Sequence, residues 1–232
     1  MKVAPLGDSA VLVTLGERPD AAVLAAVEAL AAALGRDPLP GFIECVPANA
    51  GLTVFYDPGR VARKEGGAPY DRVTRWIGER AAATAGQSPA AVERWVVIPV
   101  CYGGDWGPDL AAVAATHGLG ADEVVARHAA AEYRVSAVGF TPGFPYLTGL
   151  PASLHTARRP TPRLRVPAGS VAIGGVHTGI YPFETPGGWH VIGRTPLRLF
   201  HPQQRPPSLL QTGDRVRFRR ITAAEFGTAP PP

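Results

Sequence analysis

Apolar and polar residues alternate over positions 1 to 16 on either side of Gly7-Asp8, which predicts a short hairpin with Val11, Val13 and Leu15 on one face. After Pro19-Asp20 the period changes: Val23, Leu24, Val27, Leu30 and Leu34 recur at helical spacing as far as Gly35. Two β-rich runs follow, GFIECVPAN and GLTVFYDPG, joined at Asn49-Ala50-Gly51, and positions 59 to 69 are polar enough for an exposed loop. A second helix is expected over YDRVTRWIGERAAATAG with Val73, Trp76 and Ile77 facing inward, and RWVVIPV reads as a buried strand. Strand, helix, strand, strand, helix, strand is the split βαβ order of a ferredoxin-like sandwich.

Residues 101 to 133 differ. Pro108 at a helix start leads into DLAAVAATHGLG, ADEVVARHAAAEYRV makes a second helix, and Gly118 and Gly120 lie between them. Two short helices about a glycine turn resemble a helix-turn-helix. In that motif the first residues of the second helix meet DNA, and here they are Asp122 and Glu123, which repel phosphate. We therefore expect no nucleic-acid partner and a helical pair packed on the domain that follows, with Val124 and Val125 buried. From Arg134 onward the pieces VSAVGF, SVAIGG, HTGIYPF, WHVIG, PLRLF and DRVRFRR alternate with Gly/Pro turns and show no helical period, which predicts a β-barrel or sandwich. The expected fold class is α+β: an N-terminal α/β domain over 1–93, a β-barrel domain over 94–226 carrying the helical pair at 107–132, and an irregular, disordered proline-rich tail over 227–232.

Charge changes this picture more than composition does. The 232 residues are 46% hydrophobic, enough for an ordinary core, and the net charge is +4. Positions 1 to 93 hold 9 basic and 11 acidic side chains, whereas positions 94 to 232 hold 14 basic, all Arg, and 8 acidic, so the positive field belongs to the second half. Between Tyr133 and Gly213 the only acidic residue is Glu184, against eight arginines that include Arg158, Arg159, Arg163, Arg165 and Arg194. Cys45 and Cys101 are far apart with no CxxC pattern, which reads as reduced thiols in a cytoplasmic protein. No apolar run reaches the length of a membrane span and the N-terminus lacks the layout of a signal peptide, so neither membrane insertion nor export is expected.

Several chemistries are excluded by motif. GxxxxGK[ST] is missing and the only lysines are Lys2 and Lys64, so neither a phosphate-loop lysine nor a biotinyl-lysine setting is present. GxSxG is missing, and the histidines show no HxH or HxxxH spacing, so no metal centre is expected from local ligands. What remains is a polar set on glycine-rich loops: His177 and Thr178 in GGVHTG, Tyr181 and Glu184 in GIYPFETPGGW, His190, and the arginines. Histidine suits proton transfer near neutral pH, and His177, bracketed by Gly174-Gly175 and Gly179, is the first candidate; a satisfied barrel histidine is the alternative. Glu184 either pairs structurally with an arginine or moves protons with His177. In FTPGFPYLTGLP, Phe144, Pro145 and Tyr146 form either a partner-docking loop or part of the barrel packing.

At these same segments the chain resembles a known family. GFTPGFPYLTGLP, RRPTPRLRVPAGSVAIGG, HTGIYPFETPGGWHVIGRTPLRLF and LLQTGDRVRF, with the earlier PLGDSAVLV and IPVCYGGDWGPDL, resemble the KipI / allophanate hydrolase subunit 1 family, whose members are mostly regarded as the B-type subunits of 5-oxoprolinase. The resemblance implies a cyclophilin-like β-barrel after a smaller α/β domain, and a cytoplasmic protein that works with A-type and C-type partner subunits of the same enzyme. It implies that the assembly converts 5-oxoproline to L-glutamate at the expense of ATP, with ATP handled wholly or partly by those partners. On residue chemistry, Arg163, Arg165 or Arg194 is expected to clamp the lactam carboxylate while His177 or Glu184 moves protons. The family's KipI branch inhibits a histidine kinase, which makes a regulator with the PGFPY loop as its contact the alternative; a urea carboxylase-type amide substrate is another.

Overall fold

The computed structural model describes residues 1–61, 67–85 and 94–228. The chain divides into two compact units, Met1–Val92 and Glu93–Pro232. In the first, β1 (Lys2–Pro5) and β2 (Ala10–Thr14) form the expected hairpin, with Gly7 at φ +67° in its turn. Helix α1 (Ala21–Arg36) begins where Asp20 caps it by accepting a hydrogen bond from the Val23 amide at 2.8 Å, and it runs one residue beyond Gly35. Strands β3 (Phe42–Ala48) and β4 (Gly51–Tyr56) follow as a hairpin turning at Asn49, one of the residue types that tolerate the left-handed region. Helix α2 (Pro69–Thr84) completes the unit, with Val73, Trp76 and Ile77 buried against Val11, Val13, Leu30 and Leu34.

The strand order in this unit is β1-β2-β4-β3, so the crossover through α1 spans β4 as a split βαβ requires. One expectation is corrected here. The strand expected to close the pattern, β5 (Trp95–Tyr102), belongs to the second unit, and β1 occupies the edge beside β2. The reason lies in its side chains: Ile98 and Val100 are fully buried in the other unit's core.

The second unit continues with α3 (Leu110–Thr116), α4 (Ala121–Ala130), β6 (Tyr133–Val138), β7 (Pro145–Thr148), β8 (Arg163–Val166), β9 (Ser170–Gly174), β10 (His177–Ile180), β11 (Thr185–Gly187), β12 (His190–Arg194), β13 (Arg215–Arg220) and α5 (Ala223–Thr228). Seven strands pair in the order β6-β13-β5-β12-β9-β10-β7, and β7 pairs back onto β6. Closure leaves no unpaired edge in the barrel. All the barrel pairings are antiparallel except β5 with β13, while β8 and β11 form a separate two-stranded ribbon. The segment PLRLF, expected as a strand, makes only an isolated bridge between Phe200 and Ser208, and Gly227 and Thr228, expected in the tail, end α5. The rest of that tail lies outside the described residues.

Helices α3 and α4 cover the barrel, burying Val113, Val124 and Val125 with Tyr133, Ile173, Ile192 and Phe218. The exposed Asp122 pairs with Arg220 at 3.0 Å, and Glu123 pairs with Arg127 along the helix. Helix α4 also sends His128 into the core, where it is fully buried. Its Nε2 lies 3.0 Å from Thr178 Oγ1, which itself donates to the Ala172 carbonyl at 3.0 Å, so Nε2 carries the hydrogen. Nδ1 then accepts from the Tyr102 hydroxyl at 2.9 Å. Burial pushes the His128 pKa down to about 3, and a neutral ring with both nitrogens matched is what a dry core tolerates.

Along β9 side chains alternate: Val171 and Ile173 join the barrel interior, whereas Ala172 faces a second apolar cluster on the outer surface with Phe144, Val166, Tyr181, Trp189 and Val191. That outer cluster is where the site is built.

Candidate active site

Two glycines make room for the outer aromatic cluster. A Cβ on Gly174 would sit 2.5 Å from the Trp189 ring, and one on Gly179 would sit 2.9 Å from both Phe144 Cζ and the Pro145 carbonyl oxygen. The rings close over these positions edge to face: Phe144 and Trp189 at 5.5 Å between centroids, Phe144 and Tyr181 at 5.2 Å, Tyr146 and Trp189 at 5.8 Å. Above them lies a cleft of about 290 Å³, walled by the Phe140 turn, the Arg158–Pro162 segment and Pro186–Trp189. Phe140 at its mouth is 63% exposed and holds φ +69°, a left-handed conformation uncommon for a bulky residue.

The charged wall is tied down from another element. Asp109, just before α3, is buried and receives Arg163 through Nη1 at 2.6 Å and Nη2 at 2.7 Å, Arg159 Nη1 at 2.9 Å, and the Val191 amide at 2.7 Å. Burial alone pushes the Asp109 carboxyl up; the hydrogen bonds from Arg163 and Val191 and the charges of Arg163 and Arg159 outweigh it and hold the group below its ordinary value. The loop carrying Arg158 and Arg159 is thereby fastened to β12. Arg158 itself is exposed and places its guanidinium carbon 5.9 Å from the Trp189 ring centroid.

His177 opens β10 and is half-buried; it is not among the residues lining the cleft, but its ring is edge-on at 6.4 Å to Tyr146, which is. Burial, then the neighbouring His155 and Arg158, pushes its pKa below the ordinary histidine value. Other histidines commit Nε2 to an oxygen: His117 to Thr156 Oγ1 at 3.0 Å, His155 to the Leu150 carbonyl at 3.1 Å and His190 to the Ala157 carbonyl at 3.0 Å. The His177 ring makes no hydrogen bond among the described residues. A neutral imidazole with an uncommitted lone pair is chemically a base.

The other expected site residues are not gathered with it. Arg163 is spent on Asp109, whose carboxylate lies outside the acid-poor window. Arg165 and Glu184 form an exposed pair at 3.6 Å, 82% and 55% exposed respectively, and neither lines the cleft. Arg194 donates Nε to the Ala168 carbonyl at 2.7 Å and lies over Trp106 instead. Phe144 is 2% exposed and Pro145 is buried, which corrects their assignment as a docking loop: Phe144 lies in the floor of the cleft, Pro145 does not line it, and Tyr146 is half-buried in its wall. Arg158, Arg159, Tyr181 and Trp189 take the positions expected of Arg163, Arg165 and Arg194. The double arginine at 158–159 was visible in the sequence; its partner Asp109 was not identifiable across about fifty intervening residues.

Among the described residues no group of three or more His, Cys, Asp or Glu is arranged to hold a metal, and no helix is long and apolar enough to cross a membrane. At about 290 Å³ the cleft lies at the small end of the roughly 300–1,000 Å³ range of ligand pockets, and five of its lining residues are aromatic.

Comparison with known proteins gives a consistent result. The family model described as "Carboxyltransferase domain, subdomain C and D" matches residues 1–210. The B-type subunit of 5-oxoprolinase from Bacillus subtilis (strain 168) is 46% identical over 228 residues, covering 97% of this chain and 95% of that protein. Among solved structures, TTHA0988 is 39% identical with a TM-score of 0.78 over 96% of this chain, which spans only 40% of that longer chain. The urea carboxylase of Kluyveromyces lactis, 18% identical, shares the fold with a TM-score of 0.73 over 97% of this chain and 22% of its own.

Proposed function

The chain belongs to the carboxyltransferase-domain subdomain C and D family and, within it, to the B-type subunits of 5-oxoprolinase, and from this we propose that its outer-face cleft is the lactam site of an ATP-dependent 5-oxoprolinase. In this reading the chain is cytoplasmic and works with A-type and C-type partner subunits, its first unit being a ferredoxin-like layer closed by β1 and its second a cyclophilin-like barrel. ATP is bound by those partners. Its γ-phosphoryl group is what makes the amide carbon of a five-membered lactam attackable, and no step of that activation is assigned to this chain.

What this chain's residues do is bind, orient and move a proton. The flat ring of 5-oxoproline lies on the aromatic floor, and Arg158, which pairs with no carboxylate among the described residues, takes its carboxylate. His177 accepts a proton from the water that adds to the ring carbon, and that proton is returned to the ring nitrogen as the carbon–nitrogen bond breaks. The observation that carries the reading is the cleft lined by Arg158 and aromatic rings, one of which, Tyr146, is edge-on at 6.4 Å to His177, whose ring has no hydrogen bond among the described residues. The test is ATP-dependent glutamate release from 5-oxoproline by the complex of all three subunits. Arg158→Ala is expected to raise KM and His177→Gln to lower kcat. Wild-type values in both variants would remove the cleft from the reaction.

A further inference from the structure

The turn that carries Phe140 is held in place. The Phe144 amide donates to the Thr141 carbonyl at 3.1 Å and the Gly139 amide to the Phe144 carbonyl at 3.0 Å, and Gly143 turns at φ +83° so near Phe200 that a Cβ would lie 3.0 Å from that residue's own. Glycine occupies positions 139 and 143, yet position 140, at φ +69°, holds a phenylalanine where glycine, or a short polar residue such as asparagine, is the usual occupant. The side chain gains little from the fold: it is 63% exposed, whereas Phe144, Tyr181 and Trp189, which line the same cleft, are buried. Its ring does meet the floor, edge-on to Phe144 at 5.6 Å between centroids. Neither the strained backbone nor the uncovered ring helps the chain to fold, and the two coincide at the border of a ligand-sized space.

We infer that Phe140 is a ligand-contacting residue of the cleft, its ring packing against a flat, ring-sized lactam seated on the Phe144–Trp189 floor. Sites for small molecules enclose most of the ligand's surface, and a floor meets only one face of a flat ring. Among the five aromatic residues of the cleft, Phe140 is the one more than half exposed, and so has ring surface left for a second face. Because the turn is hydrogen-bonded, the ring is presented before the ligand arrives, and little conformational freedom is lost on binding. This rests on the cleft being the lactam site and adds the residue that covers the ligand.

The test is calorimetric titration of the assembled complex with 5-oxo-L-proline, beside the unfolding midpoint of each variant. Phe140→Asn, which suits the left-handed backbone and removes the ring, is expected to weaken binding by about fivefold, the size of one aromatic contact, with an unfolding midpoint no lower than that of the wild type. Phe140→Tyr, which keeps a ring at the same place, is expected to hold the affinity that Phe140→Asn loses. Unchanged affinity in Phe140→Asn beside weakened binding in Arg158→Ala overturns the assignment of Phe140 and leaves the cleft standing. A lowered midpoint in Phe140→Asn overturns it too, by making the ring part of the packing, as does failure of that variant to assemble with the partner subunits, by making it a docking residue. Unchanged affinity in both Phe140→Asn and Arg158→Ala, or no binding by the wild-type complex, overturns the cleft as well.

Discussion

His177 and His128 serve opposite faces of one strand. His177 begins β10 and faces outward beside Tyr146; the next residue, Thr178, faces inward and meets His128. Both imidazoles have lowered pKa values and burial is the first cause of each. Yet they are different objects. The inner ring has both nitrogens satisfied in a sealed core, and the outer ring has neither committed. A depressed pKa therefore identifies burial, and only the hydrogen-bond inventory separates a structural histidine from a reactive one.

That contrast can be broken most directly at the outer ring. His177→Gln is expected to lower kcat of the assembled enzyme by about 10²-fold or more, the usual size of a lost general base, with the unfolding midpoint unmoved. The acid limb of the wild-type rate profile should fall below the ordinary histidine value of 6.5, because burial and the neighbouring positive charges disfavour the proton. His128→Leu should do the reverse: a loss of about 3 kcal/mol in denaturant unfolding, since it leaves the Tyr102 and Thr178 hydroxyls short of a partner in the core, with kcat per folded molecule preserved.

A smaller effect sharpens the inner half of the comparison. Between pH 6.5 and about 3 the unfolded chain binds a proton at position 128 that the folded chain refuses, so stability falls as pH falls through that window. The slope from this group is at most about 1.4 kcal/mol per pH unit, read from urea midpoints, and the part due to position 128 should vanish in His128→Leu. Asp109 adds to the slope with the same sign, since its carboxyl is held below its ordinary value. The smallest effect is expected at Glu184. Its pair with Arg165 is exposed, and Glu184→Gln should change stability by less than about 1 kcal/mol and leave turnover at the wild-type level. A large loss of turnover there would return Glu184 to the reaction.

The elements themselves were largely readable. The apolar spacing of α1, the hairpin around Gly7-Asp8 and the inward Val73, Trp76 and Ile77 of α2 follow from local periodicity, which depends only on neighbours in the chain. The glycine-framed loops from Gly139 to Gly188 include the positions that border the cleft, because room for Trp189 and Phe144 requires residues without a Cβ. His177 was identifiable as a candidate for the same reason. The choice among arginines was not, because a guanidinium's availability depends on which carboxylate reaches it. Arg163 looked free in a window whose single acid is Glu184, and Asp109 arrives from 54 residues away.

Local pattern thus determined the strands, helices and turns, the positive second half and the kinship to a family, since each is a property of residues close together in the chain or of ordered motifs. Tertiary structure alone decided that β1 takes the edge beside β2, that Phe144 is floor and not docking surface, and that the His177 ring stays uncommitted among the described residues while His128 is sealed. Those outcomes turn on which face of a closed sheet a side chain meets and which distant partner satisfies it, and neither is written in the spacing of nearby residues.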